Sequence, residues 1–136
     1  MLDFKKNHCL KTLNTFGVAA TSKYFISFNS ETELKEIMAT KTFINNKTFI
    51  IGAGSNILFT KNFDGLILYN NIKEISITDS NKKFVTVEVG GGISWHDFVS
   101  WSVNKNLSGI ENLALIPGNV AASPVQNIGA YGMEVK

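Results

Sequence analysis

A chain of 136 residues, 44% of them hydrophobic, has the size and composition of one globular domain with a real core. Its net charge is +2, and all of its 13 basic residues are lysines scattered along the sequence. That pattern lacks the basic stripe of a nucleic-acid binder, and without arginine a bound phosphate must be held by backbone N–H groups, hydroxyls, amides or lysine.

In chain order, Tyr24–Phe28 is rich in aromatic and β-branched residues and reads as a strand. Ser30 then opens a helix, with Glu33 three residues on as in a capping box, and Leu34, Ile37 and Met38 on one face. The helical pattern fades by about Lys41, and Thr48–Ile51 is a short, largely apolar strand. Strand, helix, strand in that order predicts a parallel βαβ unit. Leu66–Tyr69, Glu74–Thr78 and Phe84–Val89 read as further strands, with turns at Asn62–Gly65 and Asp79–Lys83. Val85, Val87 and Val89 alternate with Thr86 and Glu88, so one face is buried. After Gly90-Gly91-Gly92, Ser94 caps a helix with Asp97 at the capping-box position; Trp95, Phe98, Val99 and Val103 form its apolar stripe, and Trp101, off that stripe, covers a flank or a partner surface. The class is α+β with mixed pairing.

Other features bound the chemistry. Cys9 is the sole cysteine and cannot form an internal disulfide, and no Cys or His spacing suits a metal. Met1 to Lys6 lacks the apolar core of a signal peptide, and no apolar run approaches the ~20 residues of a membrane span. The expectation is a cytoplasmic protein with no metal, membrane or nucleic-acid partner; oligomeric state is not readable. His8 and His96 are lone histidines, and Glu111 and Asn112 suit the cap of a short helix.

Two segments carry binding potential. Gly52-Ala53-Gly54-Ser55-Asn56 follows the second strand directly. Alternating glycines allow positive φ, and successive N–H groups in such a turn form a concave anion nest, with Ser55 and Asn56 adding side-chain donors. A dinucleotide fingerprint would need a third glycine where Ile57 stands, and the Gly-Lys-Ser/Thr of a P-loop is absent. An ordinary tight turn remains the alternative for this loop. The second segment, Pro117–Gly132, is built of small residues with uncharged polar members Asn119, Ser123, Gln126, Asn127 and Tyr131. It suits a flat, mostly apolar ligand, and equally a close-packed crossing of a sheet.

Together these blocks resemble the UDP-N-acetylenolpyruvoylglucosamine reductases. Asn14-Thr15-Phe16-Gly17-Val18, Gly52 to Phe59, and Gly109 to Gly118 continuing into Ser123 to Glu134 match that family's motifs in order and spacing over nearly the whole chain. Ala121 departs from the pattern, standing where members often have glycine. The resemblance implies the α+β FAD-binding fold of the vanillyl-alcohol oxidase type, of which residues 1–136 hold the first subdomain and part of the second, with the flavin between subdomains. It implies that Gly52, Ala53, Gly54, Ser55, Asn56 and Ile57 hold the pyrophosphate. Pro117, Gly118, Ser123, Pro124, Asn127, Ile128, Gly129, Ala130 and Gly132 then line the flavin and the neighbouring phosphate region, with Ser123 and Asn127 facing the flavin rather than the core. It further implies NADPH as electron donor and a UDP-sugar substrate in peptidoglycan synthesis. That family's catalytic serine, arginine and glutamate belong to later segments, so the chain is expected to be a partial FAD-binding domain, without a substrate-binding domain, that binds FAD weakly or not at all and is inactive alone. Another FAD oxidoreductase of the same fold, or a non-catalytic remnant, are the alternatives.

Overall fold

The computed structural model describes residues 2–135; Met1 and Lys136, which begin and end stretches read above, lie outside them. The chain divides into two compact units, Met1–Asn71 and Ile72–Lys136.

The first unit is a four-stranded sheet. Strand β1 (Lys5–Cys9) pairs antiparallel with β2 (Thr21–Phe28). Helices α1 (Glu31–Met38) and α2 (Lys41–Ile44) follow, then β3 (Thr48–Ile51) and β4 (Phe63–Asn70). Ser30 accepts the Glu33 N–H at 3.1 Å and so caps α1 as expected, while the Glu33 carboxylate turns back to the N–H of Asn29 at 2.6 Å. Ile37 is the buried residue of this helix, and Met38 is 48% exposed.

The expected βαβ unit is modified. Strands β2 and β3 run the same way, but each pairs in parallel with β4, which lies between them; the sheet order is β1-β2-β4-β3. The reason is apolarity. Leu66, Ile67 and Leu68 are all buried, so β4 is covered on both faces and takes the centre. In β3 only Ile51 is buried, and that strand takes the edge. Asn62–Gly65, read as a turn, is largely strand, because β4 already faces Ser22 of β2 at Phe63. β1 carries no apolar alternation and was not expected; its pairing with β2 makes it a strand.

Leu10, Phe25, Ile51 and Ile67 form a buried cluster on one face, with Leu13, Ile57, Phe59, Phe63 and Tyr69 against it. Each fully buried aliphatic side chain there contributes about 1.5–3 kcal/mol relative to exposure. The side chains of Leu66 and Leu68 lie on the opposite face, since neighbours on a strand alternate.

The second unit opens with a hairpin of β5 (Ile75–Ser80) and β6 (Val85–Val89), closed by Asn81, whose side chain accepts the N–H groups of Lys83 and Phe84 at 2.9 Å each. Helix α3 (Trp95–Asn104) follows. Ser94 sits at its N-cap position, but its side chain makes no capping bond; its backbone bridges to Asn119 instead. Trp95 and Val99 are buried as expected, Ser102 takes the buried place expected of Val103, and Trp101 stacks on Phe98 with ring centres 6.3 Å apart. Short 3-10 turns at Glu111–Leu113 and Val120–Ala122 lead to α4 (Ser123–Gln126) and a two-residue hairpin of β7 (Gly129–Ala130) and β8 (Met133–Glu134). Trp95, Val99, Leu113 and Ile128 form this unit's buried cluster.

Candidate functional site

In the first unit the 52–57 loop leaves the C-terminal end of β3. Ile57 is half-buried against the sheet cluster and anchors the loop's far side. Gly54 is buried at φ +64°, the left-handed region where an L side chain is strained. A Cβ at Gly54 would overlap the Leu13 carbonyl oxygen and lie 2.9 Å from the Asn14 Cα. The glycine is therefore required by the chain's own close approach as well as by the positive φ that the alternating glycines suggested. The main-chain N–H groups of Gly54, Ser55 and Asn56 have no hydrogen-bond partner among the described residues. Ser55 is half-buried and Asn56 exposed, and no ionisable side chain occurs from Gly52 to Thr60. The loop thus offers uncompensated donors and no carboxylate, which suits an anion such as a pyrophosphate.

In the second unit the small-residue segment is stitched to the glycines after β6. The N–H of Trp95 donates to Gly118 at 2.9 Å, that of Val120 to Ile93 at 2.9 Å, and that of Ala121 to Gly91 at 3.3 Å. The Asn119 side chain, buried, donates to Gly92 at 2.8 Å, and the Trp95 indole donates to Leu113 at 2.8 Å. Asn119 is thus a structural clamp. Pro117 and Pro124 are exposed, Gly118 is half-buried, and the methyl of Ala121 lies on an exposed residue.

One expectation about side-chain direction is corrected. Ser123 is buried, 3% exposed, and its hydroxyl donates to the Val120 carbonyl at 2.8 Å; the preceding 3-10 turn brings that carbonyl within reach. Ile128 is buried in the unit's cluster, as its apolar side chain demands. Asn127 is exposed and takes the left-handed conformation (φ +44°) that ends α4. Gly129 and Ala130 form β7, and Tyr131 and Gly132, at φ +53° and +79°, make the turn. Positive φ at both central residues is the twist-matched hairpin turn, which favours glycine in one of them. It leaves Tyr131 at the tip, 92% exposed. From Asn112 to Met133 there is no Asp, Glu, Lys or Arg. Glu111 just precedes that stretch; bonds from its own N–H and that of Gly109, with a smaller one from Ile110, hold its carboxyl below the ordinary range against a small opposing effect of burial.

An uncharged wall and an anion-ready glycine loop are what a flavin dinucleotide requires, and the chain belongs to the FAD binding domain family, a profile of which matches residues 22–136. It is 47% identical over 135 residues to the UDP-N-acetylenolpyruvoylglucosamine reductase of Flavobacterium johnsoniae, covering 99% of this chain and 40% of that protein. It is 43% identical over 133 residues to the protein of the same name from Amoebophilus asiaticus, covering 98% of this chain and 39% of that one. The chain therefore spans about two fifths of the length of these relatives. Among solved structures it is similar to UDP-N-acetylenolpyruvylglucosamine reductase (MurB) from Thermus caldophilus, with a TM-score of 0.72 at 20% identity over 98% of this chain and 46% of that one. The fold is the α+β FAD-binding fold.

Among the described residues no helix is long and apolar enough to cross a membrane, and no three His, Cys, Asp or Glu side chains gather in a metal-binding group.

Proposed function

We propose that this chain is the FAD-binding part of a UDP-N-acetylenolpyruvoylglucosamine reductase that acts in the cytoplasm, uses NADPH as electron donor, and forms UDP-N-acetylmuramate for peptidoglycan. The observation that carries the proposal is the set of unpartnered N–H groups at Gly54, Ser55 and Asn56 beside a left-handed glycine. The name borne by relatives at 47% and 43% identity supports the particular reaction. When bound, FAD supplies a carrier that accepts a hydride from NADPH and passes it to the enolpyruvyl double bond of the sugar nucleotide.

The chain's own residues bind and orient. Main-chain dipoles at Gly52–Asn56 hold the pyrophosphate without a cationic side chain, so the charge is met by groups already fixed in place. The main chain of Ile57 adjoins them. Pro117, Gly118, Pro124, Asn127, Gly129, Ala130 and Gly132 offer the flavin a wall of small or exposed groups, in which the Asn127 amide supplies a donor and an acceptor. Ser123 and Ile128 serve from behind, through packing and main-chain bonds.

The test is Asn56→Asp, an isosteric change at an exposed position that adds a negative charge to the loop. Titration of FAD, followed by flavin fluorescence and by amide shifts so that weak binding registers, is expected to show at least about a tenfold loss of affinity, or 1.4 kcal/mol. Unchanged affinity with an intact circular dichroism spectrum removes the loop from the site.

A further inference from the structure

We infer that the Asn14–Thr15 turn is the positioning element of the glycine loop: it fixes two successive peptide planes so that the Ser55 and Asn56 N–H groups face away from the protein's own backbone. The inference rests on the reading of that loop as the pyrophosphate site.

Three observations converge. The first is that Asn14 is 5% exposed in an otherwise exposed turn and spends its side chain on closing it. Its amide donates to the carbonyls of Leu10 at 2.8 Å and Val18 at 3.1 Å, and its oxygen accepts the Val18 N–H at 3.0 Å. The Gly17 N–H donates to the Asn14 carbonyl at 3.1 Å. Leu10, at one end of the turn, is fully buried in the sheet cluster and ties the turn to the core.

The second is that this turn grips the loop by its carbonyls. The Thr15 N–H donates to the Gly54 carbonyl at 3.2 Å, and the Thr15 hydroxyl makes a longer contact to the Ser55 carbonyl at 3.4 Å. In a trans peptide the C=O of one residue and the N–H of the next point in opposite directions. Drawing the Gly54 and Ser55 carbonyls toward Thr15 therefore turns the Ser55 and Asn56 N–H groups the other way. Those are two of the three donors left without partners.

The third is that the approach is close enough to admit only glycine at position 54, where a Cβ would overlap the Leu13 carbonyl. The two segments thus constrain each other. Thr15 is a positioning residue: it presets the donors that an anion would otherwise have to order at an entropic cost.

The experiment uses the full chain and two substitutions. Asn14 has φ −143° and ψ 140°, the extended conformation tolerated before proline, so Thr15→Pro deletes the N–H without forcing its predecessor to move. Thr15→Val deletes only the hydroxyl. In Thr15→Pro, the apo protein is expected to show shifted amide resonances at Ser55 and Asn56 with those of β2 and β4 unmoved and an unchanged melting temperature. FAD affinity is expected to fall at least about tenfold, the size typical of losing an outer-shell orienting partner. Thr15→Val keeps the N–H bond to the Gly54 carbonyl, so it is expected to leave the Ser55 amide as in the parent, to shift the Asn56 amide alone, and to lower FAD affinity by less than Thr15→Pro does.

Unshifted Ser55 and Asn56 amides in Thr15→Pro overturn the positioning inference. Shifted amides with unchanged FAD affinity uphold it and overturn instead the assignment of the loop to the pyrophosphate. Should Thr15→Pro not fold, amide exchange in the unaltered protein decides: Thr15 is expected to be protected and Ser55 and Asn56 to exchange freely, and rapid exchange at Thr15 overturns the inference.

Discussion

At the scale of single residues, Glu111 closes its turn with charge. Its carboxylate accepts the Gly109 N–H, and bonds from backbone N–H groups at 111, 109 and 110 hold its carboxyl below the ordinary value of 4.5. A carboxyl whose folded value is depressed binds fewer protons folded than unfolded, so its stabilisation is complete above 4.5 and is lost as pH falls through the lowered folded value. Glu111→Gln keeps an acceptor and removes the charge. The melting temperature of the parent is expected to exceed that of the variant by a constant margin above that pH, and the margin is expected to shrink below it; a margin independent of pH would show that the charge contributes nothing. Ser123 shows why residue roles are only half legible in sequence. A hydroxyl among small residues looks equally like a ligand contact or an internal bond, and what decides is the Val120 carbonyl at 2.8 Å, placed there by a 3-10 turn that no local pattern announced. Losing that bond costs about 1 kcal/mol. Asn14 was legible as part of a motif, but its three side-chain bonds were not, since their partners are main-chain groups whose positions depend on the fold.

At the scale of elements, strand identity was readable and strand order was not. Thr48–Ile51 has the bounds its apolar run suggested, and β6 shows the half-buried alternation of its valines. The position of β3 at the sheet edge depends on which strand has two apolar faces to hide, a comparison across the whole sheet. Ser94 failed as a side-chain cap because its backbone is engaged with Asn119, a partner 25 positions later whose approach local rules do not register. The edge position has a measurable result. Phe49 and Ile50 are 41% and 59% exposed on β3, and an apolar edge invites strand-to-strand association. Ile50→Lys, a charge on an exposed edge position, is expected to reduce self-association in sedimentation at high concentration while leaving the melting temperature within about 0.5 kcal/mol equivalent. An unchanged association constant would place the sticky surface elsewhere, with Phe84 (72% exposed) the next choice.

At the scale of the molecule, the family was legible because its motifs are long, with glycine at fixed offsets in Gly52–Phe59 and glycine and proline at fixed offsets in Gly109–Gly118. Such residues are chosen for backbone shape, which glycine and proline announce locally. The chemistry of reduction leaves no such trace in these residues. All 13 basic residues are lysines, and the chain spans about two fifths of its relatives' length. Hydride and proton transfer need donor, acceptor and acid held at near-attack distance, and a developing negative charge needs a fixed cation or donor cluster. The 136 residues by themselves are accordingly expected to show no oxidation of NADPH that depends on the enolpyruvyl sugar nucleotide, even with FAD added. Substrate-dependent turnover by the purified chain would overturn that expectation.

The central place of β4 also sets a timetable. Both β2 and β3 make their parallel ladders with a strand that comes after them in the chain. During synthesis the β1–β2 hairpin can zip up as soon as Phe28 has emerged, but β3 has nothing to pair with until Asn70 is made. At about 5–20 residues per second the ribosome holds that apolar tetrapeptide, and the glycine loop behind it, unpaired for roughly a second or more. The nascent chain is most vulnerable in that interval, so the glycine loop is among the last parts of the first unit to acquire its shape, whatever its place in the sequence.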